Sequence, residues 1–92
     1  MTISGQKTVT TAGTAERLST GKVANVSLML KALPANTGNM FVGNVSGDVT
    51  SANGMILEPG DVMILNIITD LREIWIDSAV NGEGVAWILL DV

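Results

Sequence analysis

The chain contains no cysteine, no histidine and no tyrosine, and its aromatic residues are Phe41, Trp75 and Trp87. Without cysteine there is no disulfide framework, no thiolate metal site and no cysteine nucleophile. Without histidine the chain lacks the commonest general base and the commonest ligand of transition metals. These absences weigh against an enzyme, so we predict no catalytic residue, no metal site and no cofactor.

Positive charge is also scarce, because five lysines and arginines stand against nine acidic residues and the net charge is −4. The cations are scattered along the sequence, so no basic patch is available for nucleic acid phosphates or for an anionic membrane. The N-terminus has no basic region followed by an apolar one, and no run approaches the ~20 apolar residues of a membrane helix. We therefore expect a cytosolically made protein with neither nucleic acid nor membrane as a partner.

The carboxylates fall mostly in turn-like segments, where aspartate and glycine are expected for backbone reasons. The loops 46–54 and 77–84 are rich in oxygen ligands, but neither has the regular aspartate spacing of a calcium loop. A glycosidase-type pair would need two carboxylates that face each other across a cleft, for which a small domain has little room. We interpret these carboxylates as solvated turn residues.

Short runs of Val, Ile, Thr and Leu recur along the chain, separated by Gly, Asn, Pro and Asp. The clearest run covers residues 22–34, in which every even position from Ala24 to Ala32 is apolar. Such a period of two indicates a strand that is packed on one face. The pattern predicts an all-β fold, a small β-sandwich or jelly-roll-like barrel of about seven or eight short strands with no substantial helix.

Turn chemistry sets the expected boundaries. Glu58-Pro59-Gly60-Asp61 suits a type II turn, since glycine accepts positive φ at its third position. Asn81-Gly82 predicts the tip of a hairpin between the last two strands. Residues 1–6 are expected to form a flexible N-terminal arm, and residues 7–92 a single β-sandwich domain.

Apolar residues make up 47% of a chain of 92, which is more than a domain of this size readily hides. One interpretation is a well-filled β core, and the other is a surface for a partner or a second copy. The run 61–70 is apolar on both faces, with Val62, Ile64 and Ile68 on one and Met63, Leu65 and Ile67 on the other. Trp75 either anchors an interface or caps the core. The candidate interface residues are Thr2, Ile3, Met63, Leu65, Ile67 and Trp75.

Four phrases occur in a fixed order: "KTVTTAGTAERLS" at 7–19, "ALPANTGNMFVGN" at 32–44, "NGMILEPGDVMI" at 53–64 and "IWIDSAVNGEGVAWI" at 74–88. Together they cover most of the chain, and they resemble small virion proteins of tailed bacteriophages, of the capsid decoration or cement type. Trp75 stands where that resemblance leads us to expect tyrosine.

The resemblance implies a jelly-roll-like module that coats the outer capsid surface and bridges subunits of the major capsid protein. It also implies a homo-oligomer, commonly a trimer, that is made in the host cytoplasm and located on the virion. It carries no catalytic residues. The alternative is a phage tail or fibre module that binds a host receptor or glycan, centred on Trp75 and residues 46–54.

Overall fold

The computed structural model describes residues 3–43 and 47–90, which form two four-stranded antiparallel sheets. The predicted all-β sandwich is confirmed, and the sheets do not close into a barrel. The strands in this part of the chain are β1 (Ser4–Thr8), β2 (Glu16–Arg17), β3 (Ala24–Ala32), β4 (Met40–Gly43), β5 (Met55–Leu57), β6 (Val62–Asp70), β7 (Trp75–Ser78) and β8 (Gly84–Leu90), with one 3₁₀ turn at Leu71–Glu73.

Sheet A has the strand order β1-β8-β3-β6, and sheet B has the order β2-β7-β4-β5. Most connections therefore pass from one sheet to the other. The hairpin predicted at Asn81-Gly82 is wrong, because β7 lies in sheet B and β8 in sheet A. Gly82 has the positive φ of a turn (81°), but its N–H donates to the Val9 carbonyl at 2.7 Å. The loop is thus tied to the end of β1 and does not close a β7–β8 ladder.

The predicted turn at Glu58–Asp61 is confirmed. Gly60 has a φ of 85°, and the Asp61 N–H donates to the Glu58 carbonyl at 2.9 Å. This turn carries the chain from β5 in sheet B to β6 in sheet A. It therefore makes β5 and β6 neighbours on the same side of the sandwich, although they do not pair.

The core lies between the sheets and follows the strand alternation. In β8, Val85, Trp87 and Leu89 are buried, while the intervening residues are half-buried on the outer face. The same alternation holds at the end of β3, as predicted. The buried core cluster in the described residues is Val9, Leu18, Leu28, Leu30, Ala32, Met40, Val42, Leu57, Leu71, Ile76, Val85, Trp87 and Leu89.

A bulge in β6 changes which face its residues occupy. Val26 of β3 lies opposite Ile68, but Leu28 lies opposite Leu65, so β6 carries one extra residue at this point. Ile68 consequently packs against the core, while Ile64 is 52% exposed. The prediction that Ile64 and Ile68 share a face is wrong, because it assumed an unbroken period of two.

The arm predicted over residues 1–6 is wrong from Ser4 onward, since Ser4, Gly5 and Gln6 are the first residues of β1 and pair with β8. The pairing extends to Ile3, whose carbonyl accepts the Leu89 N–H at 2.8 Å. A Cβ on Gly5 would approach the Trp87 ring to 2.9 Å. The glycine therefore serves close packing here and does not indicate flexibility.

Candidate functional site

One side of the sandwich is markedly apolar. β5 and β6 are the edge strands of sheets B and A on that side, and we call this surface the β5–β6 edge. Large hydrophobic side chains are exposed there at Met55 (60%), Ile56 (51%), Val62 (52%) and Ile64 (52%). Among the described residues, the remaining large exposed hydrophobic is Val80, in a loop. The exposed apolar side chains thus lie on the two edge strands of this side, with Val62 and Ile64 on the outer face of sheet A and Ile56 on the outer face of sheet B.

The β5–β6 edge also offers unpaired backbone. β6 runs for nine residues and pairs only with β3, so its outer side has no strand beside it in the described chain. It contains no lysine, arginine or proline, although its bulge is one of the features that can protect an edge strand. Exposed apolar side chains beside free N–H and C=O groups favour contact with another protein.

The structure does not expose the sequence-predicted interface residues together. Three of these residues, Ile3, Met63 and Leu65, are half-buried and pack against the core cluster. The neighbouring side chains of β6 that point outward are those of Val62 and Ile64. Ile67 lies in β6, but its side chain is outside the described part, as is all of Thr2. Their role in an interface stays a prediction.

Trp75, the sixth predicted interface residue, is half-buried on the outer face of sheet B. The Arg17 guanidinium lies 5.1 Å from its ring centroid, in a cation–π arrangement. A Cβ on Gly47 would approach the ring to 3.0 Å. Its Nε1 is buried and has no hydrogen-bond partner within the described ranges. Trp75 therefore joins β2 to the loop after β4 and leaves little of its ring for a partner.

The opposite side of the sandwich, the β1–β2 edge, is polar. The Lys7 ammonium and the Glu16 carboxylate form an ion pair at 2.8 Å between the two sheets. The second Glu16 oxygen accepts the Thr10 N–H at 2.7 Å. The hydrogen bond from Lys7, followed by that from Thr10, lowers the pKa of Glu16. Ser4, Gln6 and Thr8 are the exposed residues of β1.

Two phrases that the sequence separates, "NTG" and "NGEG", meet in space. The Glu83 carboxylate accepts the N–H groups of Thr37 (2.7 Å) and Gly38 (2.9 Å) and the Thr37 hydroxyl (2.9 Å). These backbone donors lower the pKa of Glu83. The buried Asn36 side chain bonds both the N–H and the C=O of Gly84. Glu83 was predicted to be a solvated turn residue; it is half-buried, and the hydrogen bonds of its carboxylate to a distant loop were not predicted.

Asp77 is a second carboxylate whose environment the sequence did not reveal, since it is 3% exposed. One oxygen, Oδ1, accepts the N–H of Gly13 at 3.0 Å and that of Ser78 at 2.8 Å. The contact with Gly13 spans 64 residues of sequence, so no local pattern indicates it.

Across residues 3–43 and 47–90, no group of three or more Asp, Glu, His or Cys side chains is placed to hold a metal ion. In the same ranges, no helix has the length and apolar character needed to cross a membrane. Comparison with protein-family models, with curated proteins and with solved structures finds no match to this chain.

Proposed function

We propose that this protein is a non-enzymatic structural protein of a tailed bacteriophage, which decorates the outer capsid surface and bridges subunits of the major capsid protein. The observation that supports the proposal is the β5–β6 edge, where exposed apolar side chains of two sheets lie beside the unpaired side of β6. The phage assembly itself is proposed from the order of the four sequence phrases.

The size of the edge explains why such a protein would act in several copies. The described body measures 32 × 26 × 18 Å, so its thin side offers on the order of 600 Å², less than the ~800 Å² that each partner of a standard interface buries. Because the cost of association offsets much of the gain from burying so small an area, one edge gives modest binding. Copies joined in a trimer would bind the capsid at the same time, and therefore far more tightly than one copy.

The test is co-sedimentation of the purified protein with phage heads that lack it. The expected result is saturable binding at a whole-number multiple of the capsomers. Ile56→Lys and Ile64→Lys should abolish binding, because each places a charge in the apolar contact. Thr8→Lys, at an exposed position of the polar β1–β2 edge, is the matched control and should bind normally. The absence of binding by folded wild-type protein would overturn the proposal.

The alternative function, a tail or fibre module that binds a glycan through Trp75, has less support. Glycan sites use an open aromatic ring, whereas Arg17 and Gly47 lie against the ring of Trp75.

A further inference from the structure

A hollow of about 360 Å³ opens on the outer face of sheet B, over β7 and β4. Phe41 and Asp77 are register partners on β4 and β7 and form its floor. The loop before β2 and the loop before β5 form its walls. The principal lining residues are Gly13, Phe41, Thr50, Ser51, Asp77 and Ser78.

The charge of Asp77 is not matched within the described chain. The ion pairs found there join Lys7 to Glu16 and Arg72 to Asp70. A buried carboxylate is costly unless hydrogen bonds and an opposite charge compensate it. The N–H groups of Gly13 and Ser78 compensate Asp77 in part, and both are held by the same oxygen.

The second oxygen, Oδ2, is available. It has no hydrogen-bond partner among the described residues, and it is not fully shielded from solvent. Oδ2 is therefore still reachable, and the cavity that Asp77 lines is the hollow. An acceptor carrying formal charge thus stands at the bottom of an open site whose lining is partly apolar and partly polar.

We propose that this hollow binds a basic side chain of a partner protein, with Asp77 Oδ2 as its acceptor. Arginine fits best, because its guanidinium is planar, weakly hydrated and able to bond a carboxylate while lying against an aromatic ring. Phe41 supplies that ring, and the hydroxyls of Thr50 and Ser51 supply further acceptors at the rim. The site lies over β7 and β4, beside β5, and does not rest on the proposed function.

The test uses the full chain and two small probes, N-acetyl-L-argininamide and its neutral isostere N-acetyl-L-citrullinamide. Backbone amide shifts are followed by NMR during titration. The argininamide should move the signals of Gly13 and Ser78 in a saturable way, while the citrullinamide should not. Because this pair of probes is compared on wild-type protein, the result does not depend on the folding of any variant.

Asp77→Asn keeps an oxygen for the two N–H donors but removes the charge, and we expect at least a tenfold loss of argininamide affinity. Glu58→Gln removes an exposed turn carboxylate and is the matched control, with unchanged affinity expected. Equal shifts with both probes, or shifts spread evenly over the surface carboxylates, would overturn the proposal. So would an affinity for argininamide that is the same in wild type and in folded Asp77→Asn.

Discussion

The edge strands on the two sides of the sandwich carry different kinds of side chain. At the β1–β2 edge, exposed serine, threonine and glutamine alternate along β1, and the Lys7–Glu16 ion pair ties one sheet to the other. At the β5–β6 edge the joining element is a turn, and Met55, Ile56, Val62 and Ile64 stand in solvent. The first edge presents polar side chains to the solvent, whereas the second leaves apolar area that another protein would cover. The predictions below test that contrast.

The largest effect is expected from Gly84→Ala, which disrupts the packing of β1 against β8. A Cβ at residue 84 would collide with the Lys7 carbonyl oxygen and lie 2.7 Å from Thr8 Cα. Because backbone cannot yield as a side chain can, we expect a loss of about 3 kcal/mol or more in the free energy of unfolding. Urea unfolding followed by tryptophan fluorescence measures this.

The control for this prediction is Gly21→Ala, where the nearest atom to a new Cβ is Ser19 Oγ at 3.5 Å. It should change stability by no more than about 0.5 kcal/mol. If Gly84→Ala is equally mild, β1 is not held against β8 as described.

A second prediction compares two neighbours on β5. Leu57 is 4% exposed and belongs to the core, whereas Ile56 is 51% exposed. Leu57→Ala should cost about 2–4 kcal/mol of stability, and Ile56→Ala less than about 1 kcal/mol. Head binding should show the reverse order at temperatures where both variants are folded. Equal stability losses would mean that the β5–β6 edge is not a free surface.

A third prediction concerns acid. Folding lowers the pKa of Glu83 below its ordinary value of 4.5, so its contribution to stability is present above that value and is lost as pH falls through the folded pKa. Glu83→Gln should therefore reduce the loss of stability between pH 5 and pH 3. Part of the loss should remain, because Glu16 also has a lowered pKa and the Arg72 hydrogen bonds bring that of Asp70 to about 2.

The measurement is the urea midpoint of wild type and Glu83→Gln across this pH range. Glu58→Gln, in an exposed turn, is the control and should follow the wild-type curve. Parallel curves for all three proteins would show that the bonds to Thr37 and Gly38 do not favour the charged form of Glu83.

The smallest effect is expected from Lys7→Met at the polar edge. The paired side chains are 33% and 27% exposed, so water screens them, and the Thr10 N–H still bonds Glu16. We expect a loss of about 1 kcal/mol or less, diminishing in high salt. Lys31→Met is a control at an exposed lysine without a described ion pair. A loss that high salt does not reduce would point to lost packing of the lysine stem.

Local chemistry was enough to predict the strands and the turn at Glu58–Asp61, because a period of two and a Pro-Gly pair act over a few residues. It was not enough for the pairing. Asn81-Gly82 has the composition of a hairpin tip, yet its bonds go to the end of β1, more than 70 residues away. Gly5 was interpreted as flexible, because nothing beside it in sequence reveals the ring of Trp87.

The candidate surfaces show the same limit. The sequence showed that β6 is apolar on both faces. It did not show whether Met63 and Leu65 or Val62 and Ile64 face the solvent, because periodicity does not say which face meets the core. The burial of Asp77 and the hydrogen bonds of Glu83 depend on loops that approach from distant parts of the chain. Their carboxylates therefore resembled ordinary turn residues.

The position of β8 bears on how this protein is made. It is the last of the eight described strands, yet it lies between β1 and β3 in the middle of sheet A. During synthesis, β1 has no partner in its sheet until residues 84–90 leave the ribosome. Such long-range pairing is slow to form, and we expect sheet A to be completed only after β8 has emerged. Until then the edge of β3 that pairs with β8 stays open, so the nascent chain is most prone to aggregate before β8 emerges.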